Sequence, residues 1–92
     1  MRITAELSLY PLVDDPIPVI LKFIAGLDGN GRVEVVVNQM STQLRGELDE
    51  VMRCICAAMQ RSFETGDGQV LVAKFLNSDL PIGVPPDLDE RR

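Results

Sequence analysis

The sequence predicts an α+β sandwich in which two helices cover one face of a four-stranded antiparallel sheet. Segments with alternating apolar and polar residues, typical of half-buried strands, are interspersed with two segments of helical apolar spacing. Their order is strand, helix, strand, strand, helix, strand, which is the βαββαβ pattern of ferredoxin-like folds. Leu, Ile, Val and Phe supply 30 of the 92 residues, so we expect a folded core and not a disordered chain.

The first strand and the first helix are predicted from residues 2–27. Residues 2–10 alternate with a period of two, and Pro11 follows them. Pro16 and Pro18 lie in the first turn of the next segment, where proline is tolerated. Apolar residues recur there every three or four positions up to residue 27. The run Asp28-Gly29-Asn30-Gly31 then favours a chain reversal.

The second half of the chain predicts two strands, a helix and a last strand. Residues 32–38 and 40–44 are predicted strands joined by a tight turn at Gln39. Gly46 is predicted to begin the second helix, and Gly66 is predicted to stop it. Residues 69–77, apolar on both faces, predict the fourth strand. We therefore expect one domain over residues 1–80 and a Pro-rich tail over residues 81–92, either an extended arm or a disordered end.

Several functional classes are excluded or disfavoured by composition. The chain has no His, which excludes Ser-His-Asp and Cys-His catalysis and His-ligated metal sites. A net charge of −5 with nine Lys and Arg residues disfavours nucleic acid and anionic membranes as partners. No apolar run reaches the length of a membrane span, and residues 1–11 do not resemble a signal peptide. Cys54 and Cys56 fall on nearly opposite faces of a helix, where they can neither pair nor share a metal, so we expect thiols in a reducing cytoplasm.

One face of the predicted sheet stays uncovered. We expect the helices to cover the face that carries Ile3, Ala5, Leu7 and Leu9. The opposite face is of mixed polarity, and the fourth strand makes it more apolar than a sheet that meets only water. The sequence therefore predicts a partner for this face, most simply the same face of a second copy of the chain.

Polar residues at such a junction need hydrogen-bond partners, which a small ligand could supply. The densest polar run covers residues 38–43. Alternation places Ser41 and Gln43 on one face and Met40 and Thr42 on the other, although a bulge would exchange them. Alternatively, Ser41 and Thr42 are ordinary edge-strand residues, and Asn38 belongs only to a turn.

Three residues of the first strand have two interpretations each. Ser8 and Tyr10 either contact a ligand or simply line a dimer interface. Glu6 either forms a cross-strand salt bridge with Lys74 or Arg32, or its carboxylate accepts from an amine or faces a cation.

Two runs of residues resemble one family. The first is Glu-Leu-Ser-Leu-Tyr-Pro-Leu at residues 6–12, and the second is Asn-Gln-Met-Ser-Thr-Gln-Leu-Arg-Gly at residues 38–46, followed by Asp-Glu-Val-Met at residues 49–52. Phe63-Glu64 and Lys74-Phe75 match the end of the family's second helix and its last strand. Over about residues 1–80 the sequence resembles the YkoF-like thiamine-binding proteins, which are small ferredoxin-like domains.

The resemblance implies a non-catalytic protein that binds thiamine or its hydroxymethylpyrimidine moiety and pairs through its sheets into homodimers or homotetramers. It implies no metal and no cofactor. The ligand residues that it implies are Ser8, Tyr10, Met40, Ser41 and Thr42, with Asn38, Gln43 and Glu6 as second choices. Arg45 departs from the family's pattern, because many members carry Glu directly before the glycine that corresponds to Gly46. An Arg there either favours an anionic pyrimidine or is merely solvated at the end of a strand.

Three functional hypotheses follow. The first is a small-molecule binding protein, and the second is an oligomerisation or regulatory module without a small ligand. Arg45 and the apolar fourth strand favour the second. The third is an enzyme, which we do not expect, since no pair of base and nucleophile and no Gly-rich phosphate loop has a recognisable spacing. Cys54 would be a nucleophile only if it were exposed in an electropositive setting.

Overall fold

Four strands and two helices follow one another in the predicted order. A computed structural model describes residues 1–91, and the side chains of residues 1–89. Arg92, the last residue of the predicted tail, lies outside the described residues. The elements are β1 (Arg2–Pro11), α1 (Ile17–Ala25), β2 (Glu34–Val37), β3 (Thr42–Glu47), α2 (Leu48–Phe63), β4 (Gln69–Leu76) and a short 3-10 helix (Leu88–Arg91). The strands pair antiparallel in the order β2-β3-β1-β4, which confirms the predicted α+β ferredoxin-like arrangement.

The core lies between one face of the sheet and the two helices. Residues opposite each other in an antiparallel pair share a face, and β1 pairs Ala5 with Leu44 and Leu7 with Thr42. The alternate residues of β1 that were predicted to be covered are all buried. The core cluster also includes Phe23 of α1 and Val51 of α2. The helices therefore cover the face that the alternation of β1 predicts.

The prediction that Gly46 begins the second helix was wrong. β3 starts at Thr42 and continues to Glu47, with Gly46 paired with Ile3, so the helix starts two residues later at Leu48. A Cβ added at Gly46 would lie 3.0 Å from the backbone oxygen of Arg32. Gly46 thus permits a close approach of two backbone segments, and it does not mark the start of the helix.

Residues 77–84, here called the C-terminal arm, turn back after β4 and cross the sheet on the face away from the helices. The Thr4 hydroxyl donates to the Ser78 carbonyl at 2.8 Å and accepts from the Leu80 amide at 2.9 Å. Gly83, at a φ of +82°, lies against β2, where an added Cβ would be 3.2 Å from Cγ2 of Val36. The arm therefore extends from the β4 edge of the sheet towards the opposite edge.

Candidate functional site

The sheet face opposite the helices, here called the open face, is the candidate site. The strand registers place four groups of side chains on it. They are Thr4, Glu6, Ser8 and Tyr10 of β1, Glu34 and Val36 of β2, Gln43 and Arg45 of β3, and Val70, Val72, Lys74 and Leu76 of β4. The arm crosses the half of this face near Thr4, and the half near Tyr10 is left without it.

Glu6 lies at the centre of the open face, because β1 is flanked by β3 and β4. Its register partners are Gln43 on one side and Lys74 on the other. Ser41 Oγ donates to Glu6 Oε2 at 3.0 Å, and Lys74 Nζ lies 3.6 Å from Glu6 Oε1. The predicted alternative of a salt bridge to Lys74 is thus present, whereas Arg32 pairs with Glu50 instead. Because Lys74 is largely exposed, this ion pair is worth little, and the Glu6 carboxylate keeps acceptor capacity for another donor.

A cavity of about 350 Å³ lies beside Glu6, between the open face and the arm. Its sheet wall includes Thr4, Glu6, Gln43 and Lys74, and its other wall consists of residues 80–84. This volume is within the range of small-molecule sites, which are mostly apolar with a few convergent polar groups. The lining meets that description, since leucine, isoleucine and valine side chains of the arm face a carboxylate, an amide and an ammonium group.

Arg45 holds the arm and is not free at the end of a strand. Its guanidinium donates to the Leu80 carbonyl at 2.9 Å, and its Nε lies 3.1 Å from Glu34 and 3.8 Å from Asp79. The Nε proton is not aligned for a hydrogen bond with Glu34, and Asp79 is too far away for one, so these two approaches are ion contacts only. Asp79 also accepts from Arg2 at 3.1 Å. The charge of Arg45 is therefore matched by carboxylates of the same chain.

Replacing Thr4 by Val is expected to release the arm. Valine keeps the shape but removes the hydroxyl, which leaves the Leu80 amide and the Ser78 carbonyl without their partner, at a cost of about 1–3 kcal/mol. Amide hydrogen exchange of Leu80 measures this opening directly and should be faster in the variant. Thr42→Val is the matched control, since no hydrogen bond joins Thr42 to the arm in the described part of the chain. Equal exchange of Leu80 in the wild type and in Thr4→Val would contradict the role of Thr4.

The structure separates the predicted ligand residues into four places. Glu6, Ser41 and Gln43 come together on the open face. Ser8 and Tyr10 lie on the same face, in the half that the arm does not cross. Thr42 is only 4% exposed and lies opposite Leu7 on the helix-covered face of the sheet. Its side chain therefore does not belong to the open face, and its assignment as a ligand residue stays a prediction.

Asn38 and Met40 belong to the turn between β2 and β3. The side-chain oxygen of Asn38 accepts from the backbone amides of Met40 and Ser41, at 2.9 and 3.0 Å, and so stabilises the turn. Met40 is 87% exposed at its tip. The turn fixes Ser41 next to Glu6, and Met40 stays available for contact with a ligand or a second chain.

Three parts of the cavity were not assigned to the site from the sequence. The sequence predicts Lys74 only as a salt-bridge partner of Glu6, and it predicts no site role for Thr4 or the arm. For Thr4, the signal was its position on the same face of β1 as Glu6. For the arm, Leu80, Ile82 and Val84 alternate with prolines and glycine, a pattern that fits an extended segment with one face against a surface.

The two cysteines do not offer a nucleophile near the open face. Both cysteines belong to α2, where Cys54 is buried and Cys56 is exposed. They thus lie on different faces of the helix, as their spacing predicts. Burial raises the pKa of the Cys54 thiol, and the negative charge of Asp28 adds to this effect against a smaller opposing influence of Arg61. The Cys54 side chain is therefore a thiol at neutral pH and packs as an apolar group.

The described residues contain neither a candidate membrane span nor a candidate metal cluster. No helix in residues 1–91 is both long enough and apolar enough to cross a membrane. Among the side chains of residues 1–89, no three Cys, Asp or Glu residues are grouped closely enough to hold a metal ion.

Comparisons with known proteins point to one family and one fold. A model of the YkoF-related family matches residues 2–85. A solved structure from Streptococcus pneumoniae is 31% identical over 99% of this chain and 97% of its own, with a TM-score of 0.74. A proposed thiamine biosynthesis or salvage protein from Thermotoga maritima is 20% identical over 89% of this chain and 91% of its own, with a TM-score of 0.75. A domain of unknown function from Bacillus cereus is 24% identical over 99% of this chain and 86% of its own, with a TM-score of 0.70. The last two likenesses concern the fold, and a search of curated proteins gave no match.

Proposed function

Because the chain belongs to the YkoF-related family, we propose that it binds thiamine, or the hydroxymethylpyrimidine moiety of thiamine, without transforming it. The observation that carries this proposal is the Glu6 carboxylate, which lines the cavity on the open face beside Gln43 and Lys74. The likeness in fold to the Thermotoga maritima protein agrees with it.

The chemistry of the cavity suits an aminopyrimidine. The exocyclic amine of such a ring donates, and its ring nitrogens accept. Glu6 supplies acceptors, Lys74 supplies donors, and the Gln43 amide supplies both. The thiazolium cation of thiamine is also opposite in charge to the Glu6 carboxylate, which favours its binding beside Glu6. The binding therefore needs no metal, cofactor or nucleophile, and we propose no catalytic activity.

We further propose that a second copy of the chain covers the half of the open face near Tyr10. Tyr10, Val70 and Val72 are each about half exposed there, at 55%, 48% and 44%. Pairing two such faces would bury these side chains and place Ser8 and Tyr10 at the junction, where the Tyr10 ring can stack on a flat ligand. We propose dimers of this kind, or tetramers built from them. We also propose a cytoplasmic location, because the reducing cytoplasm keeps free cysteines such as Cys54 and Cys56 unpaired.

The contacts of Arg45 favour a particular order of ligands. Its guanidinium contacts Glu34, Asp79 and the Leu80 carbonyl, so it offers little to a phosphate group. We therefore propose that thiamine phosphate binds no more tightly than thiamine, although an Arg at this position would by itself favour an anion.

Isothermal titration calorimetry with thiamine, hydroxymethylpyrimidine and thiamine phosphate tests the proposal. We expect about one ligand per chain, with micromolar affinity or tighter, and thiamine phosphate no tighter than thiamine. The protein must first be freed of co-purified ligand by partial unfolding and refolding. Sedimentation velocity of the same sample gives the oligomeric state.

A second candidate function is an interaction module without a small ligand. The observation that favours it is the arm, which already occupies one half of the open face with side chains of the same chain. No heat with any of the three compounds, from a folded and oligomeric sample, would overturn the binding proposal and favour this second candidate.

A further inference from the structure

A second cavity, of about 470 Å³, lies between the two helices, on the other side of the sheet layer from the open face. We call it the helix groove. Val19 and Phe23 of α1 and Ala58 of α2 supply its apolar lining. Gly26 and Ala58 leave room there because they carry little or no side chain. The volume is within the range of sites for small organic molecules.

The helix groove also carries two basic side chains without a carboxylate partner. Among residues 1–89, five basic side chains lie within 4 Å of a carboxylate, namely Arg2, Arg32, Arg45, Arg53 and Lys74. The two that lack such a partner are Lys22 and Arg61, and both line the helix groove. The chain as a whole is acidic, with a net charge of −5. Among residues 1–89, the basic side chains without a carboxylate partner nevertheless both line this one cavity.

Arg61 is oriented by a hydrogen bond that does not neutralise it. One of its guanidinium nitrogens donates to the Gly26 carbonyl, at the end of α1, at 2.5 Å. A guanidinium has five N–H donors, so most of its donors stay available for an anion. Asp67 also lines the groove, but it forms no ion pair with either cation, and the ionised groups of the lining sum to a positive charge.

We propose that the helix groove binds a small amphiphilic anion. The apolar body of the ligand packs on Val19, Phe23 and Ala58, and its carboxylate, sulfonate or phosphate head group lies between Lys22 and Arg61. A planar guanidinium binds such head groups with two parallel hydrogen bonds, and the ammonium adds a mobile second charge. Since this site is on the helix side of the sheet, it does not depend on the function proposed for the open face.

A matched pair of fluorescent probes tests the proposal on the full-length protein. The anion 8-anilinonaphthalene-1-sulfonate and the neutral N-phenyl-1-naphthylamine share the same ring system and differ by one sulfonate. We expect the double variant Lys22→Gln/Arg61→Gln to bind the sulfonate about tenfold more weakly or worse, because it lacks two charge-assisted contacts. Its affinity for the neutral probe should stay within about twofold.

Lys74→Gln is the control, because it removes a cation from the open face and not from the helix groove. It should leave the sulfonate titration unchanged. Amide chemical shifts of the wild-type protein give a second measurement that needs no variant, and the sulfonate should shift Val19, Phe23 and Ala58. Unchanged sulfonate affinity in the double variant, an equal loss in Lys74→Gln, or shifts confined to β1 and β4 would each overturn the proposal.

Discussion

Replacing Leu44 by Ala is expected to lower the free energy of unfolding by about 3 kcal/mol or more. Leu44 is fully buried in β3, paired with Ala5 on one side and Val35 on the other. Its loss removes apolar contacts and leaves a cavity that the flanking strands, held by their hydrogen-bond ladders, cannot close. A domain of this size has a total stability of about 5–15 kcal/mol, so the loss is a large fraction of it.

Urea denaturation followed by far-ultraviolet circular dichroism measures this change. Leu21→Ala is the matched control, because Leu21 is 60% exposed on α1 and alanine is a good helix former. The control should change the free energy of unfolding by less than about 0.5 kcal/mol. Equal free energies of unfolding for the two variants would contradict the burial of Leu44 in the core.

Replacing Glu6 by Gln is expected to weaken the binding of thiamine by about tenfold or more. A hydrogen bond to a charged group is worth about 1.5–3 kcal/mol, and glutamine cannot match the charge of the ligand. The fold should be nearly unaffected, since the Lys74 ion pair is exposed and the Ser41 hydroxyl can donate equally to an amide oxygen. Calorimetry with thiamine and thermal unfolding of both proteins measure the two quantities.

Thr42→Val is the control for the position of the ligand. Thr42 is next to Gln43 in the chain but presents its side chain to the helices. A site on the open face therefore predicts unchanged affinity for thiamine in Thr42→Val, whereas the sequence-based assignment of Thr42 as a ligand residue predicts weaker binding. If Thr42→Val weakened binding as much as Glu6→Gln does, the ligand would lie on the helix-covered face of β3. If Glu6→Gln bound thiamine like the wild type, the open-face cavity would not be the site.

The fold was predictable because burial acts on one face of each strand. The alternation of β1 indicated correctly which of its side chains face the helices, since a shift of one residue would expose every one of them. The limits of β3 were harder to predict. A glycine before acidic residues is typical of a helix start. The pairing of Gly46 with Ile3 instead places it in a strand, and its partner is distant in the sequence.

The candidate site was only partly predictable. The polarity of Glu6 and Gln43 within an apolar sheet singled them out, and strand pairing then brings them together. The position of residues 77–84 depends on the hydroxyl of Thr4 and on the charges of Arg45 and Asp79, which are scattered along the sequence. No periodicity links such residues, so the arm could be described from the sequence only as extended or disordered.

The central position of β1 also bears on how the chain folds during its synthesis. β1 pairs with β4 through residues 58 to 72 positions further along the chain, from Pro11↔Gln69 to Thr4↔Leu76. A ribosome therefore has to release nearly the whole domain before the first strand gains its second neighbour. Until then one row of its backbone hydrogen-bonding groups is unpaired, which invites association between nascent chains. We expect expression at low temperature, or with a holdase chaperone, to raise the soluble yield.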